Sequence, residues 1–292
     1  MNKKNKLYPN YFTYPAIIVF AVFFVIPVLL GFVLSFTDWN ILRLYEPKFN
    51  GLDNFTYLLK DAGFALATKN TFLFAIITTV LIIIIGLVLA LILDEKVIGK
   101  NLFRTMFYLP AVLSLIVVGI MFTSVFKMNN GILNQLLRLI GLESWTKDWL
   151  GNNATALGSI MFVQVWKWSG FAMAIFLAGL QGISKEYYEA AKIDGASKLQ
   201  QIKNITLPLL APAFTVVVTM NTIGGFKVFE QVYVMTGGGP GNATQVLSTY
   251  IYKAFAKGTL GRSTAMGLIL FVMISLIALL VNNVLRKREL DI

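Results

Sequence analysis

Six apolar runs, at residues 14–36, 71–93, 104–126, 156–180, 207–226 and 264–285, decide what this chain can fold into. Each can cross the hydrocarbon of a bilayer as a helix, which takes about 20 residues. Without water, backbone polar groups are satisfied only within helices or closed barrels, and the alternating pattern of barrel strands is absent. The expected fold is all-α: a polytopic membrane protein with six transmembrane helices near those positions. Charged residues make up only 13% of the chain and apolar ones 57%, with a mean hydropathy of +0.72. That shortage of charge fits lipid as the solvent and leaves no room for a separate soluble domain.

Composition also removes whole classes of activity. Cysteine and histidine are both absent, so there is no disulfide framework, no common zinc or haem ligand set, and no usual general base. No metal, catalytic residue or cofactor of its own is expected. The net charge is +11, yet no basic stripe is interleaved with aromatics, so nucleic acid is not an expected partner. The lysines and arginines flank the apolar runs, where they orient spans in the bilayer.

Residues 1–13 read as a short basic tail. The run that follows is too long for a signal peptide and lacks a small-residue cleavage site, so it is expected to be a retained span. An even number of spans puts both termini on one side. Lys3, Lys4 and Lys6, then Lys96, Lys100 and Arg104, then Lys185, Lys192, Lys198 and Lys203, then Arg286, Lys287 and Arg288 crowd into that side's short segments. On the other side basic residues are spread over roughly twice the length, and density is what the positive-inside rule weighs. Both termini and the charged island at residues 184–208 are therefore expected in the cytoplasm.

That island, S-K-E-Y-Y-E-A-A-K-I-D-G-A-S-K-L-Q-Q-I-K-N-I-T-L-P, has the grammar of two short helices around a glycine corner. Ser184 is placed to cap the first helix, with Glu186 and Glu189 in its early turns. Gly195 falls where a helix needs a left-handed residue to stop. Ser197 and Gln200 have capping-box spacing, and Leu199, Ile202 and Ile205 form one apolar stripe. Pro208 is expected in the first turn of the next long helix. From these residues alone the hairpin is either a docking knob for a soluble partner or a plain solvated connection.

Glu189, Ala190, Ala191, Asp194 and Gly195, followed by Leu207 and Pro208, resemble the "EAA" signature of binding-protein-dependent ABC importer permeases. The string E-A-A-K-I-D-G-A-S at residues 189–197 is similar to the sugar-importing branch related to maltose and glycerol-phosphate permeases. F-N-G-L-D-N-F at residues 49–55, G-F-A-M-A-I-F-L-A-G-L-Q at 170–181 and V-Y-V-M-T-G-G-G-P at 232–240 resemble the same branch. The enteric maltose permease has extra N-terminal spans and a large outside domain, so the resemblance is to a compact six-span version. It implies a type I importer transmembrane domain over residues 14–292, in a bacterial or archaeal cell membrane. It further implies that residues 184–208 couple to two ATP-binding cassette subunits, which bind the ATP. A second homologous permease and an extracytoplasmic sugar-binding protein complete the implied assembly.

Candidate pathway residues come from polar groups at membrane depth. The fourth run carries Gln164, Trp166, Lys167 and Trp168. Lys167 either lines a polar pathway or snorkels toward the outer edge, and the indoles either stack on a sugar ring or pack at the interface. Asn221 in the fifth run bonds either across helices or to substrate. Gly170, Ala174 and Ala178 form a small-residue stripe that lets another helix approach. Trp145 and Trp149, in the segment after the third run, read either as interfacial anchors or as a contact for a soluble binding protein. The glycines at 237–239 and 241 lack the following Gly-Lys-Ser/Thr of a phosphate loop and are expected to reverse the chain. A stand-alone secondary transporter or channel is the alternative function, but the broken helices and inverted repeats common in such proteins are not legible here. An intramembrane enzyme would need clustered acids or bases at depth, and Lys167 has no carboxylate in its own helix.

Overall fold

Thirteen helices form among the described residues, 10–95 and 98–287 of the computed structural model, and no strand accompanies them. In chain order they are α1 (Tyr14–Leu34), α2 (Asp53–Lys60), α3 (Ala62–Asp94), α4 (Lys100–Val112), α5 (Leu115–Val125), α6 (Ile132–Leu139) and α7 (Ala156–Gln181). They continue with α8 (Lys185–Ile193), α9 (Lys198–Leu209), α10 (Ala211–Phe226), α11 (Glu230–Thr236), α12 (Leu247–Ala256) and α13 (Leu260–Arg286). Lys3, Lys4, Lys6, Lys96 and Arg288, used above for orientation, lie outside the described residues.

Four helices are long and apolar enough to cross a membrane unbroken: α1, α3, α7 and α13. Two expected spans are bent pairs instead. The run at 104–126 divides into α4 and α5 at 99°, and the one at 207–226 is α10, joined to α9 at 67°. Six crossings result only if each bent pair is one span. At the first break Leu113 and Ser114 are extended, and Pro110, with no N–H to give, weakens the last turn of α4. At the second, Leu210 leaves the helix and Pro212 takes the second position of α10. Pro208 thus does not open the long helix as expected; it lies within α9, just after a π turn at Ile202–Thr206. A π turn, Ala21–Val25, also precedes Pro27 in α1. α3 starts nine residues earlier than the hydropathy of 71–93 indicates, because Asn70 and Thr71 are paired inside the fold.

The chain divides into two compact units. In the first, residues 1–61 with 251–271, α1 buries none of its side chains, as a helix solvated by lipid can. Gly51 (φ +62°) turns the chain, and Asp53 and Asn54 open α2. The buried Asn54 donates from Nδ2 to the carbonyls of Ser35 and Thr37 at 2.9 and 2.8 Å. Gly261 donates to the Trp39 carbonyl, and a Cβ there would lie 2.3 Å from the Thr37 carbonyl oxygen.

The second unit, residues 62–250 with 272–292, is built on α3 packed along α7. Ile82 and Ala90 of α3, Ala172, Met173 and Phe176 of α7, and Val217 of α10 form one core cluster. Phe74, Val118, Phe122, Ile160, Val232 and Val246 form a second. Close approach relies on small residues. A Cβ on Gly170 would sit 1.7 Å from the Phe107 carbonyl oxygen, and one on Gly86 2.7 Å from the Cβ of Ala172. The stripe of Gly170, Ala174 and Ala178 is therefore met by α4, whose Thr105 and Tyr108 line the adjoining groove. Asn70 donates to the carbonyls of Ala243 and Gln245, both at 3.0 Å, and the Thr71 hydroxyl accepts from Leu247 N–H. These bonds fasten the glycine-rich reversal to α3. In that reversal Gly237, Gly238 and Gly241 have positive φ, and Thr244 donates to the Gly239 carbonyl at 2.6 Å.

Candidate functional site

The charged island folds as two short helices, each started by the residue its sequence designates. Ser184 Oγ accepts from Glu186 N–H to start α8. Ser197 and Gln200 form a reciprocal capping box at α9. Between them Gly195 has φ +75°, and Gly195 N–H donates to Lys192 C=O while Ala196 N–H donates to Ala191 C=O. Those two bonds are the Schellman pair that closes a helix end. Tyr188 and Thr206 share a hydroxyl–hydroxyl bond of 3.0 Å, which ties α8 to α9, and Lys198 pairs with Glu95 beyond the end of α3.

This hairpin holds Glu189, Ala190, Asp194 and Gly195 exposed, with Ala191, Leu207 and Pro208 half-buried at its base. Beside the polar groups stand Ile193 at 87% exposure and Leu199 at 76%. Leu199 therefore turns outward, while Ile202 and Ile205 of the same stripe are half-buried. A cavity of about 330 Å³ lies at the base of α8, lined by Ile183, Ser184, Tyr187, Leu209 and Pro212.

A cavity of about 460 Å³ lies where two helix breaks meet α7. Leu115, just past the α4–α5 break, lines it, as do Lys227 and Val228 in the break between α10 and α11. Irregular backbone in a membrane is tolerated where it is buried or borders such a cavity. Gln164, Trp168 and Phe171 of α7 contribute one wall, Met220 and Asn221 of α10 another, and Glu230 and Gln231 of α11 a third. Trp168 and Phe171 meet edge to face, with centroids 5.8 Å apart. Asn221 Nδ2 donates to its own helix at Val217 C=O, 2.8 Å.

Of the five candidates Gln164, Trp166, Lys167, Trp168 and Asn221, the cavity thus brings together three: Gln164, Trp168 and Asn221. Trp166 packs edge-on against Phe122, centroids 5.1 Å apart. Lys167 neither snorkels nor lines the cavity. At 1% exposure its ammonium donates to the carbonyls of Pro110, Ala111 and Leu113 at 2.9, 3.1 and 2.5 Å. Those carbonyls cluster at the broken C-terminus of α4, where a cation is also favoured by the helix dipole. Phe171, Glu230 and Gln231 are cavity residues that the sequence reading missed. Gln231 lies in a short helix just past the end of the fifth apolar run, and Phe171 looks like any span residue. Trp149 is also reassigned: its Nε1 donates to the fully buried Asn134 at 2.8 Å, whereas Trp145 is 62% exposed.

Comparison with known proteins places this geometry. Residues 82–290, well over half of the chain, match the family model described as "Binding-protein-dependent transport system inner membrane component". The chain is 39% identical over 275 residues to a probable ABC transporter permease protein, YurN, of Bacillus subtilis, covering 93% of this chain and 94% of the relative. It is 33% identical over the full length of both chains to AmyD of Thermoanaerobacterium thermosulfurigenes, a probable starch degradation products transport system permease protein. A chain from the crystal structure of a bacterial alginate ABC transporter, in complex with alginate pentasaccharide-bound periplasmic protein, superimposes with a TM-score of 0.83. It has 26% identity and covers 95% of this chain and 93% of its own length.

Proposed function

This chain belongs to the family of binding-protein-dependent transport system inner membrane components, and from that premise we propose that it is one membrane half of an ATP-driven importer of sugars or oligosaccharides. It is a multi-pass membrane protein and a transport permease subunit. The α8–α9 hairpin docks in the cytoplasm on one of two ATP-binding cassette subunits, which bind and hydrolyse the ATP, and the chain needs no cofactor of its own. A second, related permease supplies the other half of the pathway, and an extracytoplasmic binding protein delivers the sugar. Both chain termini are cytoplasmic.

The carrying observation is the hairpin. Both helices are capped, the corner is closed, and two large aliphatic side chains are held out from it. Apolar groups presented on a rigid corner are what a cleft in another protein buries. The mechanical link runs through the backbone: α9 continues past its π turn to Leu209 and bends by 67° into α10, which carries Asn221 to the cavity. Closure of the cassette dimer on ATP would move the hairpin as a unit, and α10 with it, which makes the bent pair the bistable element. The name of AmyD supports a sugar cargo, and the saccharide-bound periplasmic protein of the alginate transporter supports delivery by a binding protein.

The chain has no native cysteine, so Ala196→Cys places a single label site on the corner. A membrane-impermeant maleimide is expected to react in inside-out vesicles and to be blocked once the cassette subunits are bound. Labelling from the opposite face, or equal labelling with and without those subunits, would remove the docking role.

A further inference from the structure

We propose that the apolar face of α6 is seated in the phospholipid interface, on the leaflet opposite the α8–α9 hairpin. The proposal does not depend on what is transported. α6 is packed the reverse of an amphipathic helix in a water-soluble fold. Its inward anchor is polar: Asn134, fully buried, donates to the carbonyls of Met128 and Lys147, both at 2.9 Å, and accepts from Trp149 Nε1 at 2.8 Å. On the other side Ile132, Leu136, Leu139 and Ile140 fall within about 100° of arc at helical spacing. All four are more than half exposed, and Leu142 and Trp145 extend the apolar surface past the end of the helix. Six large apolar side chains turned out from one short segment exceed the scattered exposure that is normal on a surface in water.

Two observations assign the cover to lipid. The first is continuity with α5, which contacts α6 and turns Ile116, Val117, Ile120 and Met121 outward, with the exposed Met128 between the two helices. α5 belongs to an apolar run of bilayer-crossing character, so its outward flank faces acyl chains. The second is composition. Trp145 and the exposed cations Lys127, Arg138 and Lys147 flank an aliphatic face, against two carboxylates, Glu143 and Asp148. An indole at headgroup level and cations toward the phosphates are how a helix lies in a membrane interface. A binding protein that delivers cargo comes and goes, which would leave this face in water between visits; lipid covers it throughout. α7 crosses the bilayer between α6 and the hairpin, which puts them on opposite leaflets. Thr155 and Ser159 donate to the Trp149 carbonyl at 3.0 and 3.3 Å, so a helix seated in lipid also sets the height at which α7 enters the membrane.

The absence of native cysteine allows spin labels at single positions. Leu136→Cys and Leu139→Cys sample the proposed face, Val117→Cys the flank of α5, and Gln135→Cys the polar edge of α6. All four side chains are exposed, so the substitutions leave the core intact. The labelled chain, with the cysteine-free forms of the chains that co-purify with it, is placed in nanodiscs of phosphatidylcholine and phosphatidylglycerol. Power-saturation EPR then compares collision with oxygen, which concentrates in lipid, and with a water-soluble nickel chelate. The oxygen-to-nickel ratio at positions 136 and 139 is expected to exceed that at 135 about fivefold or more and to approach that at 117, as for side chains sunk below the headgroups. A ratio at 136 and 139 no higher than at 135 would mean that water covers the face, and overturns the proposal. Weak collision with both reagents at 136 and 139 would mean that a protein covers it, and overturns the proposal as well. No sugar enters the measurement, so either failure leaves the transport reading intact.

Discussion

Substitution of Gly195 allows coupling to be tested by degrees. The residue sits at φ +75°, and a Cβ built there meets no atom within 4 Å. No packing change enters, so the cost of a side chain is conformational: about 1–2 kcal/mol for an ordinary L-residue. Asn, several-fold enriched in the left-handed region, should cost least, Ala more, and β-branched Val most. What the strain opposes is the Schellman pair, Gly195 N–H to Lys192 C=O at 3.1 Å and Ala196 N–H to Ala191 C=O at 2.8 Å. Each bond is worth about 0.5–1.5 kcal/mol, so the strain is comparable to what holds the corner closed. A change of 1–2 kcal/mol shifts the closed-to-open ratio of the corner by a factor of about 5–30. The spans themselves keep all their contacts. The assay is sugar taken up per ATP hydrolysed by the assembled transporter in proteoliposomes. Coupling should fall in the order Gly, Asn, Ala, Val, with assembly unchanged. Val coupling as well as Gly, or Asn failing as badly as Val, would refute the reasoning.

Three further outcomes test how the rest of the fold is held. Lys167→Met removes three hydrogen bonds, each worth about 0.6–1.7 kcal/mol in a membrane interior, so it should cost about 2–5 kcal/mol; thermal melting that coincides with the parent's would show that the α4 carbonyls need no cap. Gly170→Val places a Cβ where the Phe107 carbonyl oxygen lies 1.7 Å away, and overpacking of about 1–3 kcal/mol or more is expected. It should reduce the yield of folded protein in detergent, and normal yield would count against the close α4–α7 approach. Asn134→Leu deprives Trp149 Nε1 of its acceptor and the carbonyls of Met128 and Lys147 of their donor. The loss should be about 3 kcal/mol, localised to residues 127–153. Limited proteolysis there should accelerate and the Trp149 emission shift to the red, and an unchanged digest would contradict the assigned role.

The apolar spans, the all-α class and the hairpin at residues 184–208 are legible in the linear chain. Each is read from interactions that close within a few residues. Ser184 reaches Glu186, Ser197 reaches Gln200, and Gly195 turns the chain on its own. Hydropathy likewise needs only a window as long as one helix. Where spans bend, and what the polar residues between them do, emerges from packing between distant segments. Residues 104–126 are apolar almost throughout, yet the break at Leu113 and Ser114 is held by Lys167, 54 residues away from Leu113. A cation at membrane depth signals a partner, but the partner here is backbone, which no side-chain pattern reveals. Gln164, Asn221 and Gln231 line one cavity because α7, α10 and α11 converge, and that convergence rests on contacts such as Gly225 against Ala75, 150 residues apart. Local hydrogen bonds fix the elements; burial of residues far apart in sequence fixes which polar groups are paired and which line a cavity.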